Sequence, residues 1–298
     1  MKNLILVFLI LVLSNNLYSQ TVDEILEQEA LTNSSAVTGT FNGTRIMNGH
    51  SIETRQKGVL EFLIQHRFGR INSGSYELYG LDQSNIRFGL EYALTNDFAI
   101  ALGRSSFEKT YDSYVKYRLL KQKTGDKSVP ISITLFASAA EKTLKDYLPG
   151  EKPSFSDRLA FTGQVLFARK FNPHFSLQIT PTLIHYNTVP SSIDPKDIFA
   201  VEIGTKVKLS KHISIDGEYY YSVNSFESIN TKNSMALGID IETGGHVFQL
   251  IFTNSRSMIE KGFISETTGD FFKGDIHFGF NISRDFYLIK AKGEEKIY

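Results

Sequence analysis

Residues 274–283 divide by parity into two chemically different sets. Ile276, Phe278, Phe280 and Ile282 share one face of an extended chain, while Asp275, His277, Gly279, Asn281 and Ser283 share the other. Side chains alternate across a strand with period two, so this segment belongs between an apolar medium and a polar one. The division recurs: Ile86, Phe88, Leu90, Tyr92 and Leu94 oppose Arg87, Gly89 and Glu91, and Phe199, Val201, Ile203, Val207 and Leu209 oppose Glu202, Gly204, Lys206 and Lys208. A lysine or arginine facing hydrocarbon at the bilayer centre costs about 2–4 kcal/mol, so the charged faces must meet water or a lumen. The pattern predicts an all-β fold, a transmembrane antiparallel up-and-down β-barrel of about twelve strands with a polar interior.

A soluble β-sandwich would show the same alternation. Strand length and loop asymmetry separate the two. Twelve segments read as strands: 59–68, 85–94, 97–105, 109–120, 130–142, 157–169, 174–187, 198–209, 212–223, 234–242, 246–254 and 273–283. Each is about as long as the ~9–11 residues a tilted strand needs to cross a bilayer, or longer. Tight turns at 95–97, 171–173, 210–211 and 243–245 carry Asn, Gly, Pro or Ser, which favour sharp reversals. Longer polar stretches at 70–84, 143–156, 188–197, 224–233 and 255–272 alternate with them. Short turns at one end and long loops at the other mark outer-membrane barrels. The connections at 106–108 and 121–129 fit that rule poorly. Phe98, Tyr117, Phe175, Tyr219, Tyr221 and Phe286 lie near strand ends, where interfacial aromatic girdles form, although tryptophan is absent.

Residues 1–19 have the layout of a signal peptide: Lys2, an apolar run over 4–13, then a polar exit ending at the small Ser19. The expected organisation is a signal peptide over 1–19, a periplasmic or plug segment over 20–56, an outer-membrane barrel over 57–288 and a tail over 289–298. Residues 21–31 are acidic and helix-prone; residues 33–56 are rich in Asn, Gly, Ser and Thr, with isolated Phe41, Ile46 and Met47. Lysine plus arginine equals aspartate plus glutamate at 32 each, which leaves no basic excess for nucleic acid. The chain has no cysteine, hence no disulfide framework or thiolate metal site.

The lumen-facing charges expected from parity are Glu61, Arg67, Arg87, Glu91, Asp112, Lys116, Arg118, Glu202, Lys206, Asp216, Glu218, Asp240 and Asp275. Both signs are present, so they suit either a selectivity ladder or a salt-bridged filling that stiffens a narrow barrel. His66 falls by parity on the apolar face of its strand, unless a bulge turns it inward. The seven histidines lack metal-ligand spacing, so neither a metal nor a cofactor is expected. A lipid-active enzyme would need a nucleophile and base at the outer face, and the nearest pair is His212 with Ser214, two apart beside a turn. No catalytic residue is assigned, and the chain is not expected to be an enzyme.

FNGTRI at 41–46, SIET at 51–54, QHRFGR at 65–70, YGLD at 79–82, GRSS at 103–106 and KTYD at 109–112 resemble an uncharacterised family of secreted or membrane β-barrel proteins from Bacteroidota-type bacteria. The similarity covers most of the mature chain and is densest over 41–120. It implies a barrel and outer-membrane placement, but no activity. Arg45, His66, Asp82 and Arg104 are polar members of these motifs and candidate contacts between the N-terminal segment and the barrel wall. The functional expectation is a narrow passive channel for small solutes in outer-membrane lipid. The alternative is a non-conducting structural or partner-docking barrel; a lipid-active enzyme ranks third.

Overall fold

The computed structural model describes residues 35–145, 153–243 and 246–289. The expected signal peptide, residues 20–34 and all of the expected tail except Ile289 lie outside them.

Twelve antiparallel strands close into a barrel. They are β1 (Val59–Arg70), β2 (Ser84–Ala93), β3 (Phe98–Ser105), β4 (Tyr111–Leu120), β5 (Ser132–Glu141) and β6 (Leu159–Asn172). The second half comprises β7 (Phe175–Tyr186), β8 (Asp197–Lys208), β9 (Ile213–Ser222), β10 (Met235–Thr243), β11 (His246–Thr253) and β12 (His277–Tyr287). Each strand pairs with the next, and β12 closes on β1 through pairs such as Phe280 with His66 and Ile282 with Ile64. A closed barrel leaves no unpaired edge, the condition for a sheet in hydrocarbon.

The turns follow from local chemistry. Thr95 Oγ1 accepts from the backbone N–H groups of Asp97 (3.2 Å) and Phe98 (2.9 Å), reversing the chain between β2 and β3. Asn172 Oδ1 does the same for His174 and Phe175, both at 2.8 Å, between β6 and β7. The even strand count puts residues 58 and 288 at the short-turn end, with six connections at the opposite mouth. The two ill-fitting connections keep these sides: 106–110 is a compact link at the mouth, and 121–131 is a longer one at the short-turn end.

Burial alternates along every strand. In β8 the outward Phe199 and Ile203 are exposed, while the inward Glu202 and Lys206 are buried. The apolar side chains therefore form the outer belt, and the charges point inward. β12 differs from its expected span. Asp270 caps a turn of 3-10 helix at Phe271–Lys273 by accepting from Phe272 N–H (3.1 Å), and Gly274 then adopts a left-handed φ of 84°. The strand therefore starts only at His277, and its far end continues to Tyr287 because Asp285 and Tyr287 pair with Glu61 and Val59.

The barrel and residues 39–57 form one compact unit. A second unit contains Lys121–Ile131 and the described residues before Gly39; within it Ser35–Ala36 pairs with Lys123–Thr124.

Candidate functional site

Residues 39–57 lie inside the barrel. Their centre is a small hairpin: Ile46 N–H donates to Gly49 O (2.9 Å), Ser51 N–H donates to Thr44 O (3.0 Å), and Arg45 bridges His50. The chain reverses through Met47 and Asn48, between Ile46 and Gly49, and neither Asn48 nor Gly49 takes a positive φ, so Asn48-Gly49 does not form the Asn-Gly turn its sequence suggests.

The lumen wall receives the hairpin group by group. Glu218 on β9 accepts from three successive backbone N–H groups: Met47 (3.2 Å), Asn48 (2.8 Å) and Gly49 (3.0 Å). Three amides converging on one carboxylate make an anion nest. The exposed carbonyls find wall donors: Gln249 to Ile46 O (2.7 Å), Asn281 to Met47 O (2.8 Å), Gln178 to His50 O (2.8 Å) and Lys116 to Glu53 O (2.6 Å). Arg67 donates to Asn48 Oδ1 (2.9 Å) and Asn281 Oδ1 (3.1 Å). Lower in the lumen, Lys206 donates to Gly39 O (2.9 Å), and Glu61 accepts from Thr44 Oγ1 and Arg55, both at 2.6 Å.

Phe41, Ile46, Met47 and Ile52 are buried against wall residues that include Tyr114, Phe136, Leu166 and Ile251. Glycines on the wall make room. A β-carbon at Gly204 would overlap Ile46 Cδ1, and one at Gly238 would overlap Met47. These two positions hold glycine where another backbone or side chain approaches closely.

From the mouth, the connection between β11 and β12 sends a short helix, α1 (Glu260–Ser265), down onto the hairpin; all six of its residues are buried. Glu260 accepts from Arg45 (2.8 Å), and His50 Nε2 lies 3.3 Å from the same oxygen. Phe263 and Ile264 pack with Ile184, Tyr186, Ile198, Tyr220 and Phe226, which fixes α1 in the barrel. On its upper side Lys261 joins Glu266 (2.9 Å) and Glu108 (3.0 Å), and Lys142 also reaches Glu108 (3.0 Å). Burial opposes the Glu108 charge, yet Lys261 and Lys142 hold its pKa below the ordinary glutamate value. Burial likewise opposes the Lys261 charge, and Glu266 and Glu108 more than offset it, so its pKa is raised.

Above α1 the mouth holds a cavity of about 850 Å³. It is walled by the connections β1–β2, β3–β4, β5–β6, β7–β8, β9–β10 and β11–β12.

Of the thirteen charges expected in the lumen, twelve are buried on inward positions: Glu61, Arg67, Arg87, Glu91, Asp112, Lys116, Arg118, Glu202, Lys206, Asp216, Glu218 and Asp240. Asp275 instead precedes β12 at the mouth, where it accepts from Asn72 (2.9 Å) and Arg70 (3.4 Å), because the turn at Gly274 delays the strand. Arg87 pairs with Asp112 from wall to wall. Arg118, by contrast, reaches Glu53 of the inserted segment (3.4 Å). The lumen is thus filled by chain as well as by the wall-to-wall pair Arg87–Asp112.

Three of the four motif residues lie elsewhere than expected. Arg45 is in the hairpin, and its partner Glu260 comes from a mouth connection rather than from the wall. His66 stays on the outer face, stacked on Phe280 (5.0 Å) and near Phe68 (4.4 Å), because the register irregularity of β1 against β12 falls beyond it, between Arg67 and Arg70, and His66 itself pairs regularly with Phe280 and Ile86. Asp82 is exposed in the β1–β2 connection, and Arg104 is exposed over the Tyr111 ring (5.3 Å). His212 and Ser214 are separated: His212 is exposed on the turn, while Ser214 is buried and accepts from Asn42 Nδ2 (3.0 Å). Glu260, Lys261 and Gln249 had no signal in the sequence beyond their polarity. Among the described residues no cluster of His, Asp or Glu is arranged to hold a metal.

A family described as a membrane bound beta barrel domain (DUF5777) matches residues 41–286. Comparison with curated proteins gives no match. Among solved structures, the NanC porin aligns at 8% identity and a TM-score of 0.47, covering 75% of this chain and 98% of the porin. The KdgM porin in complex with disordered oligogalacturonate aligns at 9% and 0.46, covering 76% and 99%. Omp33, an outer membrane protein of Acinetobacter baumannii, aligns at 9% and 0.41, covering 78% and 100%. Likeness at this level carries no argument about solutes or residue roles.

Proposed function

This chain belongs to the membrane bound beta barrel domain family, and from that premise we propose that it is an outer-membrane barrel whose lumen is shut at rest by residues 39–57. The supporting observation is the seating of the Ile46–Gly49 turn: three amides on Glu218, with Ile46 and Met47 buried at the wall. Each such hydrogen bond contributes about 0.5–1.5 kcal/mol net, and those to a charged group more. Together with the apolar anchors they keep thermal motion alone from clearing the path. Passive flow of solutes therefore requires displacement of the segment. The resting barrel serves as a docking structure, and its solvent-facing feature is the mouth cavity. In this reading the short turns face the periplasm, and the chain is not an enzyme; the exposure of His212 on its turn and the commitment of the buried Ser214 hydroxyl to Asn42 support that second point.

Single-channel conductance of the refolded mature chain in a planar bilayer tests the proposal, with a variant lacking residues 20–56 beside it. The expected result is silence from the full chain and steady current from the deletion, both showing heat-modifiable migration of a folded barrel. Steady conductance in the full chain would overturn the closed resting state and restore the open channel. Silence from a folded deletion variant would show that the wall side chains together with α1 close the lumen without the segment.

A further inference from the structure

The mouth cavity has the size of a small-molecule site, which typically falls within about 300–1,000 Å³. Its lining cations outnumber its carboxylates five to three. Two of the three carboxylates are already committed: Glu108 to Lys142 and Lys261, and Glu266 to Lys261. The third, Asp157, accepts from Ser154 N–H and Oγ, both at 2.8 Å. Arg256 stands apart from these pairs. It is exposed, and its guanidinium lies over the Phe107 ring at 5.5 Å. A guanidinium held on a ring face keeps its N–H fork directed outward, the arrangement that grips a carboxylate or phosphate with two bonds. Arg70, also on the lining, is 40% exposed, and its one ion pair among the described residues, to Asp275, is long at 3.4 Å. Val189, Pro190 and Ile229 supply apolar wall.

We propose that the mouth cavity binds a small soluble anion, a carboxylate- or phosphate-bearing solute, with Arg256 and Arg70 as its charged contacts. This deepens the docking reading by naming the chemistry of what docks, and it does not depend on whether the lumen conducts. The anion enters from the loop side and rests above α1, separated from the lumen by Glu260 and the hairpin.

Isothermal titration of the full refolded chain in neutral detergent tests this, with inorganic phosphate, glucuronate and the neutral control glucose as probes. Phosphate or glucuronate should bind, glucose should not, and affinity should fall as salt is raised. Arg256→Gln should weaken anion binding by about tenfold or more. Arg284→Gln, on the outer face over Phe286, should leave it unchanged. If Arg256→Gln loses the gel shift of the folded barrel, Arg70→Gln carries the same expectation. Equal binding of glucose and glucuronate would overturn the proposal, as would folded Arg256→Gln and Arg70→Gln variants that both bind like the parent. A third arm uses vesicles with and without an anionic phospholipid. Association only with headgroups, with no heat from soluble anions, would assign the cations to the membrane surface and overturn the soluble-solute reading. Conductance plays no part in these readouts, so failure here leaves the closed-lumen proposal standing.

Discussion

The residue that seats the inserted hairpin most directly is Glu218, whose two oxygens receive three backbone N–H groups. A carboxylate offers acceptors on both oxygens, whereas an amide replaces one of them with donors that face N–H groups. Glu218→Gln therefore keeps the volume but breaks the match. The expected outcome is faster hydrogen exchange at Met47, Asn48 and Gly49, with barrel stability lower by about 1–3 kcal/mol. Unchanged exchange at those amides would show that the apolar anchors alone hold the turn. Parity made the inward direction of Glu218 readable, because a side chain on a half-apolar strand has only two faces to choose from. Its partners were not readable: Met47 lies 171 residues away, and no local pattern encodes a contact of that range. His66 was placed correctly by the same parity; its assignment as a contact of the N-terminal segment failed because it came from motif polarity rather than from geometry.

At the scale of elements, the strands were largely legible and the insertions into the barrel were not. Period two fixes a strand wherever one face is apolar, so the twelve segments emerged from alternation and turn chemistry. The exception was β12, where the 3-10 turn at 271–273 shifted the start and pairing with β1 extended the end. The segment 39–57 and α1 lack such a pattern, because both are surrounded on all sides by lumen and wall. The segment's two Asn-Gly dipeptides, Asn42-Gly43 and Asn48-Gly49, do not single out the reversal, which runs through Met47 and Asn48. The cap formed by α1 has a pH dependence with a definite sign. Glu108 has a folded pKa below the ordinary 4.5, so its contribution is complete above that value and is lost as pH falls through the folded pKa. Lys261 is raised, so its contribution is complete below about 10.5 and persists until the pH passes its higher folded pKa. The Lys142–Glu108–Lys261–Glu266 chain is thus intact across neutral pH and loosens on the acid side, below about pH 4.5. Hydrogen exchange over 260–266, corrected for intrinsic rate, should accelerate relative to the β-strands as the pH is taken from 7 to below 4. Parallel behaviour of cap and strands would mean that these ion pairs do not hold α1.

The barrel is an inside-out arrangement: charge and amide within, aliphatic and aromatic side chains around the wall. Leu102, in the middle of β3, is 69% exposed; Leu90 pairs with it from β2, and the exposed Ile100 next to it on the same face pairs with Val115 of β4. Soluble proteins rarely leave a continuous apolar surface beyond a few hundred Å² open to water, so this belt needs a lipid environment. That requirement gives a depth rule. A lysine at the bilayer midplane costs about 2–4 kcal/mol, and one near an interface about 0–1 kcal/mol. Leu102 lies mid-strand, whereas Leu119 lies at the short-turn end of β4, also facing outward. Leu102→Lys should therefore destabilise the barrel by about 2–4 kcal/mol in urea titrations from phospholipid vesicles, and Leu119→Lys by about 1 kcal/mol or less. A soluble barrel with a solvated exterior would tolerate both changes alike. Equal small costs at the two positions would remove the membrane from the account of this surface, and a gradient between them would measure how deeply β3 is immersed.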